Sequence, residues 1–158
     1  MILLTDCISK APATAELFIV EEKNYELASD LRDRFTQAVL AISPTIPEIQ
    51  HAELHQLLTD PAVHSIIAAL GVGIEFMPGM NLLKLENLRY GKIIIATEPT
   101  DDGRHVQTQV LAFMRQYMNP VIAKGHVYLA PEQNWSSLPL EEFNTKAMIF
   151  RTRMLTQV

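Results

Sequence analysis

The clearest strand of this sequence is residues 91–97, Gly-Lys-Ile-Ile-Ile-Ala-Thr, where three β-branched residues in a row follow a turn glycine. A second apolar run, Leu17-Phe-Ile-Val20, is typical of a central strand that is buried on both faces. A strand of that kind needs cover on both sides of its sheet. These two segments therefore limit the chain to folds in which helices flank a sheet.

Helical patterns alternate with the strands along the chain. We predict further strands over residues 37–42 and 126–130, and a strong helix over about 103–118. The inner face of that helix is predicted from four apolar residues at helical spacing: Val106, Val110, Met114 and Tyr117. This order predicts a parallel sheet with helices on both faces.

Three other helices are predicted nearer the amino terminus. One covers residues 24–36, with apolar residues spaced four apart, and a short one covers about 49–58. The third begins at Asp60-Pro61, an N-cap followed by proline at the first helical position, and ends at Gly71. The length of 158 residues favours a single domain.

Composition excludes several functional classes. The formal net charge is −5, whereas proteins that live on nucleic acid usually carry a basic excess, so unaided tight DNA binding is not expected. No apolar run approaches a membrane span, and the start lacks the pattern of a signal peptide. The single cysteine, Cys7, cannot form an internal disulfide. We therefore expect a cytoplasmic protein without membrane partners.

Acidic residues follow two of the predicted strands. Glu21 comes directly after the strand 17–20, and Glu98 follows the strand of three isoleucines. Ligand sites in parallel sheets form at the carboxyl ends of the strands. If the two strands are neighbours, the two carboxylates converge, and this is the main functional prediction that needs no known family.

The loop after the isoleucine strand, residues 97–105, carries further acidic residues at Asp101 and Asp102. Clustered carboxylates are ligands that Mg²⁺ takes, and a metal there can stabilise phosphoryl transfer. The alternative is a solvated loop whose acidic residues favour the positive end of the next helix. Taken alone, the loop favours this second interpretation, since acidic helix starts are common.

The order of motifs resembles the TOPRIM domain of type II topoisomerase B subunits, the gyrase B and topoisomerase IV B family. In that family an apolar strand ends in Glu-Gly-Asp-Ser-Ala, and an isoleucine-rich strand later runs into Asp-x-Asp-x-Asp-Gly-Ser-His. The corresponding segments here are residues 16–21, 92–98 and 102–105, and the similarity covers about residues 5–131. It implies a TOPRIM, Rossmann-like α/β fold.

The resemblance also implies a site. Its Mg²⁺ ligands fall on Glu21, Glu98 and Asp102, and its catalytic candidates are Glu21, as general acid or base, and His105. The family's second aspartate is replaced by Thr100, so the metal site is weakened. Arg104 replaces a serine beside Asp102, and we expect its cation to fill the space of the metal.

The departures from the family extend to DNA contact. A family segment with two lysines near the DNA-facing site corresponds here to residues 41–45, which have none, and Gln107 replaces an arginine. No glycine-rich phosphate loop is present, so no ATP site is expected. The family's tyrosine nucleophile belongs to the A subunit. The chain is therefore not expected to be active alone.

We divide the chain into a TOPRIM-like domain, residues 1–131, and a C-terminal extension, residues 132–158, that packs on the same domain. Trp135 in the extension is expected to cover the core rather than to anchor a partner. The sequence is compatible with two functions, and also with a structural remnant that folds but has no working site. The first is a non-catalytic protein connected with DNA topology that binds a topoisomerase A-type subunit, another protein or, weakly, DNA. The second is a Mg²⁺-dependent enzyme, a DNA strand-cleaving or nucleotidyl-transfer domain like the B subunit of a type II topoisomerase.

Overall fold

The computed structural model describes residues 2–77, 80–132, 134–135 and 155–158. Within these ranges, the strands are β1 Leu4–Thr5, β2 Glu16–Glu21, β3 Gln37–Ile42, β4 Glu75–Met77, β5 Met80–Asn81, β6 Lys92–Ile95, β7 Val127–Leu129 and β8 Thr156–Gln157. The α-helices are α1 Tyr25–Leu31, α2 Leu54–Leu57, α3 Pro61–Leu70, α4 Asp101–Tyr117 and α5 Asn119–Ala123. Short 3₁₀ turns lie at Glu22–Asn24, Ile49–His51 and Leu85–Asn87.

The main sheet has the order β1-β3-β2-β6-β7-β8 in the described part of the chain. Its four central strands, β3, β2, β6 and β7, run parallel, whereas β1 and β8 pair antiparallel at the two edges. The predicted α/β class is thus confirmed, with the difference that the sheet is mixed at its edges. A separate hairpin is formed by β4 and β5.

Alternate residues of β2 point to two different cores. Leu17 and Ile19 belong to the larger core, with residues of α3 and α4, whereas Phe18 and Val20 belong to a smaller core with α1. All four side chains are buried. Helices therefore cover both faces of the sheet, as the apolar run predicted. No described helix has the length and apolar composition that crossing a membrane requires.

Helix α3 begins and ends as predicted. The carboxylate of Asp60 accepts hydrogen bonds from the backbone N–H groups of Ala62 and Val63, and Pro61 occupies the first turn. Gly71 ends the helix in the left-handed conformation, with φ of 75°. The predicted inner face of α4, Val106, Val110, Met114 and Tyr117, is also confirmed as buried.

The helix predicted over residues 24–36 is shorter than expected. It ends at Leu31, and Phe35, which shares its four-residue spacing, is 62% exposed. Side chains compete here with helical hydrogen bonds. The Asp33 carboxylate accepts from the backbone of Phe35, and the Gln37 side chain accepts from the backbone of Asp33. These bonds turn the chain into β3 instead.

The helix predicted over residues 49–58 is split in two. Ala52 is extended and separates the 3₁₀ turn at Ile49–His51 from α2. The reason is a capping box, in which Glu53 and Gln56 exchange side-chain and backbone hydrogen bonds and start a new helix.

Candidate functional site

The carboxyl ends of β2 and β6 bring Glu21 and Glu98 together. The two strands pair in parallel, from Glu16 opposite Lys92 to Ile19 opposite Ile95. Ala96 then extends the ladder, since its N–H donates to the carbonyl of Ile19. The predicted convergence of the two carboxylates is therefore confirmed.

Glu21 is the more deeply buried of the two, with 1% of its surface exposed. Its Oε1 accepts a hydrogen bond from the backbone N–H of Glu98 at 3.0 Å. Its Oε2 accepts from the side-chain amide of Asn24 at 3.3 Å. Asn24 ends the 3₁₀ turn that follows β2, so the strand and its own turn hold this carboxylate.

Glu98 is buried as well and has two different partners. The ammonium of Lys23 lies 2.7 Å from Oε2, and the backbone N–H of Trp135 donates to Oε1 at 3.0 Å. The side chain of Lys23 is 55% exposed, so it reaches inward from the surface. The 3₁₀ turn at Glu22–Asn24 therefore supplies a donor to each of the two glutamates.

The pKa values agree with a charged pair. Burial raises the pKa of Glu98, but the hydrogen bonds from Lys23 and Trp135 outweigh it and leave the pKa below its ordinary value. The hydrogen bond to Glu98 is the main cause of the raised pKa of Lys23. Attraction to the charges of Glu21 and Asp102 raises it further. Both groups are therefore ionised at neutral pH.

Asp102 lies at the start of α4 and is exposed. It borders a depression of about 220 Å³ together with Glu21, Glu22, Lys23 and Pro44. The three residues predicted to bind metal thus lie at one edge of the sheet, but Asp102 stands on the solvent side of the two buried glutamates.

Thr100, which the resemblance places at the position of a family aspartate, is the N-cap of α4. Its hydroxyl accepts a hydrogen bond from the backbone N–H of Gly103 at 3.1 Å. Gly103 itself packs against the site, because a β-carbon there would overlap the carbonyl oxygen of Glu98 and Oε1 of Glu21. Threonine and glycine at these two positions let the helix start close against the carboxylates.

Among the described residues, neither His105 nor Arg104 forms a hydrogen bond or an ion pair with the two glutamates. Nε2 of His105 is 2.8 Å from the carbonyl oxygen of Ile46, which ties α4 to the loop after β3. The catalytic role predicted for His105 stays a prediction. Arg104 is exposed and forms no ion pair with a described residue, so the prediction that it fills the metal position is corrected. The cation on Glu98 is that of Lys23.

The chain carries hydrogen-bonded polar side chains at the positions where the resemblance leads one to expect cations. The hydroxyls of Ser43 and Thr45 lie 2.8 Å apart, and the hydroxyl of Thr97 donates to the side chain of Gln107 at 3.4 Å. These neutral pairs satisfy one another and offer no positive charge to a phosphate.

The donors around the glutamates decide how a divalent cation fits. Mg²⁺ requires oxygen ligands in a near-ideal octahedron. All four carboxylate oxygens of Glu21 and Glu98 already accept from nitrogen donors of the chain, one of them charged. Within the described residues, no group of three or more acidic, histidine or cysteine side chains is arranged to hold a metal ion. As arranged here, the residues do not fit the metal that the resemblance implies.

Two contributors to this site, Lys23 and Trp135, were not predicted. Lys23 lies two residues beyond the end of β2, and no spacing in the sequence marks it as the counter-ion of Glu98. Trp135 is fully buried, as expected of a core cover, and its indole N–H donates to the carbonyl of Ala96 at 3.0 Å. Its backbone contact with Glu98 carries no sequence signal.

The predicted boundary at residue 131 stays a prediction. Of the extension, residues 133 and 136–154 lie outside the described residues. The described parts, residues 134–135 and β8, contact the domain through Glu98 and β7.

Comparisons with known proteins agree with this architecture. A sequence model described as the Toprim domain matches residues 16–131. The chain is 42% identical over 128 residues to the B subunit of DNA gyrase from Thermus thermophilus, a match that covers 80% of this chain and 20% of that protein. It is 38% identical over 128 residues to the gyrase B subunit of Helicobacter pylori, covering 80% of this chain and 16% of that protein. The chain thus spans about a fifth or less of the length of these two relatives.

Proposed function

This chain belongs to the Toprim domain family and is related to the B subunit of DNA gyrase, and we propose that it is a non-catalytic member that acts by binding a topoisomerase A-type subunit. The relationship connects it with DNA topology. The observation that carries the proposal is the saturation of Glu21 and Glu98, whose four carboxylate oxygens all accept from donors of the same chain.

We infer the absence of catalysis because those bonds occupy the carboxylate oxygens that a catalytic site would use. A metal-assisted phosphoryl transfer needs carboxylate oxygens that are open to the metal. A general acid or base must reach the proton it transfers, directly or through one water. Glu21 is 1% exposed and bound on both oxygens, so neither role is open to it in this arrangement.

Weak DNA contact follows from charge. Affinity for nucleic acid depends on the number of phosphates that lysine and arginine neutralise. The net charge is −5, and Ser43, Thr45 and Gln107 are neutral where the family is basic. We therefore place DNA second to protein as the partner.

The protein partner is inferred from what the chain keeps. The framework that surrounds the site is intact: parallel β2 and β6, the close start of α4 at Gly103, and covered faces on both sides. Its relatives are named as one subunit of an enzyme, and the chain matches only part of their length. A domain that keeps such a framework without open carboxylates is suited to recognition by a protein that binds this fold.

The test is co-purification with the A subunits of gyrase and of topoisomerase IV from the same organism, each immobilised in turn, at low and at high salt. We expect retention by one of them, and the same retention for Asp101→Asn, an exposed substitution that leaves the fold intact. An unrelated immobilised protein serves as the control. Retention by neither A subunit at any salt concentration would contradict the proposal.

A second function is favoured by one observation, namely that Asp102 and Glu21 border the same depression. In that case the chain is a Mg²⁺-dependent strand-cleaving or nucleotidyl-transfer domain. Supercoiled DNA is incubated with the protein and Mg²⁺ or Mn²⁺, beside Glu98→Ala. If the wild type nicks the DNA and Glu98→Ala does not, the enzyme function replaces our proposal. If both proteins nick the DNA no more than the background, the result supports the non-catalytic function.

A further inference from the structure

Lys23 has an unusual position for a surface lysine. It lies in the 3₁₀ turn at Glu22–Asn24, directly after the carboxyl end of β2. Its stem is half-exposed, but its ammonium makes a 2.7 Å ion pair with the buried carboxylate of Glu98. The turn therefore directs a positive charge from the surface to the point where β2 and β6 end.

The same ammonium contacts one acidic residue of the predicted metal site and lies within electrostatic reach of the other two. It contacts Glu98 and is attracted by the charges of Glu21 and Asp102. Lys23 is also one of the residues that border the depression lined by Glu21 and Asp102. Among the described residues, no other lysine or arginine forms an ion pair with these three carboxylates.

A positive charge is required at this point on physical grounds. A buried carboxylate without a counter-charge is strongly unfavourable, and removing one partner of a buried pair exposes that penalty. Two charges can compensate it: an ammonium from the chain, or a divalent cation from solution, which carboxylate oxygens bind well. Both would use Oε2 of Glu98, so they exclude one another.

We propose that Lys23 is the permanent cation of this site, and that it holds the place of a divalent metal ion and keeps the site closed to metal. This inference rests on the proposed function, in which the wild-type chain has no working metal site. It adds that a single residue causes the closure. Removing the charge of Lys23 frees Oε2 of Glu98 while the bonds from Trp135 and to Glu21 stay in place, and Asp102 can then contribute from the solvent side.

The experiment is calorimetric titration with Mn²⁺ of the wild type and of Lys23→Met, which keeps the length of the side chain and removes its charge. Arg104→Met is the matched control, because Arg104 is a nearby exposed cation without an ion pair to a described residue. Lys23→Met combined with Glu98→Gln removes the proposed ligand as well. Far-UV circular dichroism checks the fold of each variant.

We expect saturable Mn²⁺ binding by Lys23→Met. Its affinity for Mn²⁺ should exceed that of the wild type by about tenfold or more, because in the wild type the ion must first displace the ammonium. Arg104→Met and the double variant should remain without binding. If Lys23→Met is unfolded in the absence of Mn²⁺, adding Mn²⁺ should restore its fold, since a ligand that binds only the folded chain stabilises that state.

Three outcomes would overturn the inference. A folded Lys23→Met that does not bind Mn²⁺ contradicts it while leaving the proposed function untouched. So does an unfolded Lys23→Met that millimolar Mn²⁺ fails to restore. Binding of Mn²⁺ by the wild type as tightly as by the variant contradicts both this inference and the proposed absence of a metal site.

Discussion

The carboxylate of Glu21 accepts a hydrogen bond from the backbone N–H of Glu98, with 3.0 Å between the oxygen and the nitrogen. A side chain at the end of β2 thereby fixes the backbone that leaves β6. Because the bond joins two neighbouring parallel strands at their carboxyl ends, Glu21 has a structural role that does not depend on any metal ion.

Replacing Glu21 should therefore destabilise the fold itself. Glu21→Ala leaves the buried N–H of Glu98 and the amide of Asn24 without their acceptor, and we expect a loss of about 2–3 kcal/mol in the free energy of unfolding. Glu22→Ala, an exposed neighbour, should cost about 0.5 kcal/mol or less. Urea denaturation followed by circular dichroism measures both. Equal values for the two variants would contradict the structural role of Glu21.

Gly103→Ala tests the close approach of α4 to the carboxylates. The added methyl group would overlap the carbonyl oxygen of Glu98 and Oε1 of Glu21, and we expect a loss of about 3 kcal/mol, despite the better helix propensity of alanine. Thr108→Ala, an exposed position of the same helix, should change stability by about 0.5 kcal/mol or less. Thermal unfolding measures the stability of both variants. A Gly103→Ala variant as stable as the wild type would contradict the prediction and show that the start of the helix can shift.

Trp135 gives a prediction about the cover of the site. Trp135→Ala removes a fully buried side chain and should cost about 3–5 kcal/mol. Trp135→Phe keeps most of the apolar volume but loses the indole bond to Ala96, so we expect a cost of about 1–2 kcal/mol. The unfolding is followed by circular dichroism, since Trp135 is the single tryptophan. The same small cost for both variants would mean that Trp135 does not cover the core.

The carboxylate of Asp6 should make the stability of the fold depend on pH in the acid range. Burial raises the pKa of Asp6, but hydrogen bonds from Tyr90 and the Cys7 backbone and the charges of Arg89 and Lys10 outweigh it, so the pKa is lower than in the unfolded chain. A lowered pKa stabilises the fold above the unfolded value, about 4, and this contribution disappears as the pH falls through the folded value.

The measurement compares the wild type with Asp6→Asn by urea denaturation at pH 7 and at several values below about 4. The wild type should be the more stable protein at pH 7, and the difference should shrink as the pH falls. A difference that does not change with pH would show that the charge of Asp6 does not contribute.

The sequence allowed the convergence of Glu21 and Glu98 to be predicted, because parallel strands place their carboxyl ends at one edge whatever the side chains do. It did not reveal which cation Glu98 binds. Arg104 was expected there from its place beside Asp102, but it follows the helix start and faces solvent. Lys23 reaches the site only because a 3₁₀ turn follows β2, and short turns leave almost no periodic signal.

Elements were predictable where spacing and end signals agreed. Asp60, Pro61 and Gly71 mark α3 at both ends, and the structure follows them. Phe35 continues an apolar spacing of four, yet the helix ends at Leu31. The side chains of Asp33 and Gln37 accept hydrogen bonds from backbone N–H groups after that point, in place of helical carbonyl groups. Local hydrogen bonds of this kind override the helical periodicity, and the spacing of apolar residues does not predict them.

Both edges of the main sheet, within the described residues, end in antiparallel strands of only two residues, β1 and β8. So short an edge leaves few backbone groups for another chain to pair with, and it disfavours stacking of copies into fibrils. A protein that binds this domain therefore gains little by extending the sheet. The protein partner that we propose would depend chiefly on side chains of the described surface, so point substitutions there would change its selectivity while the fold stays the same.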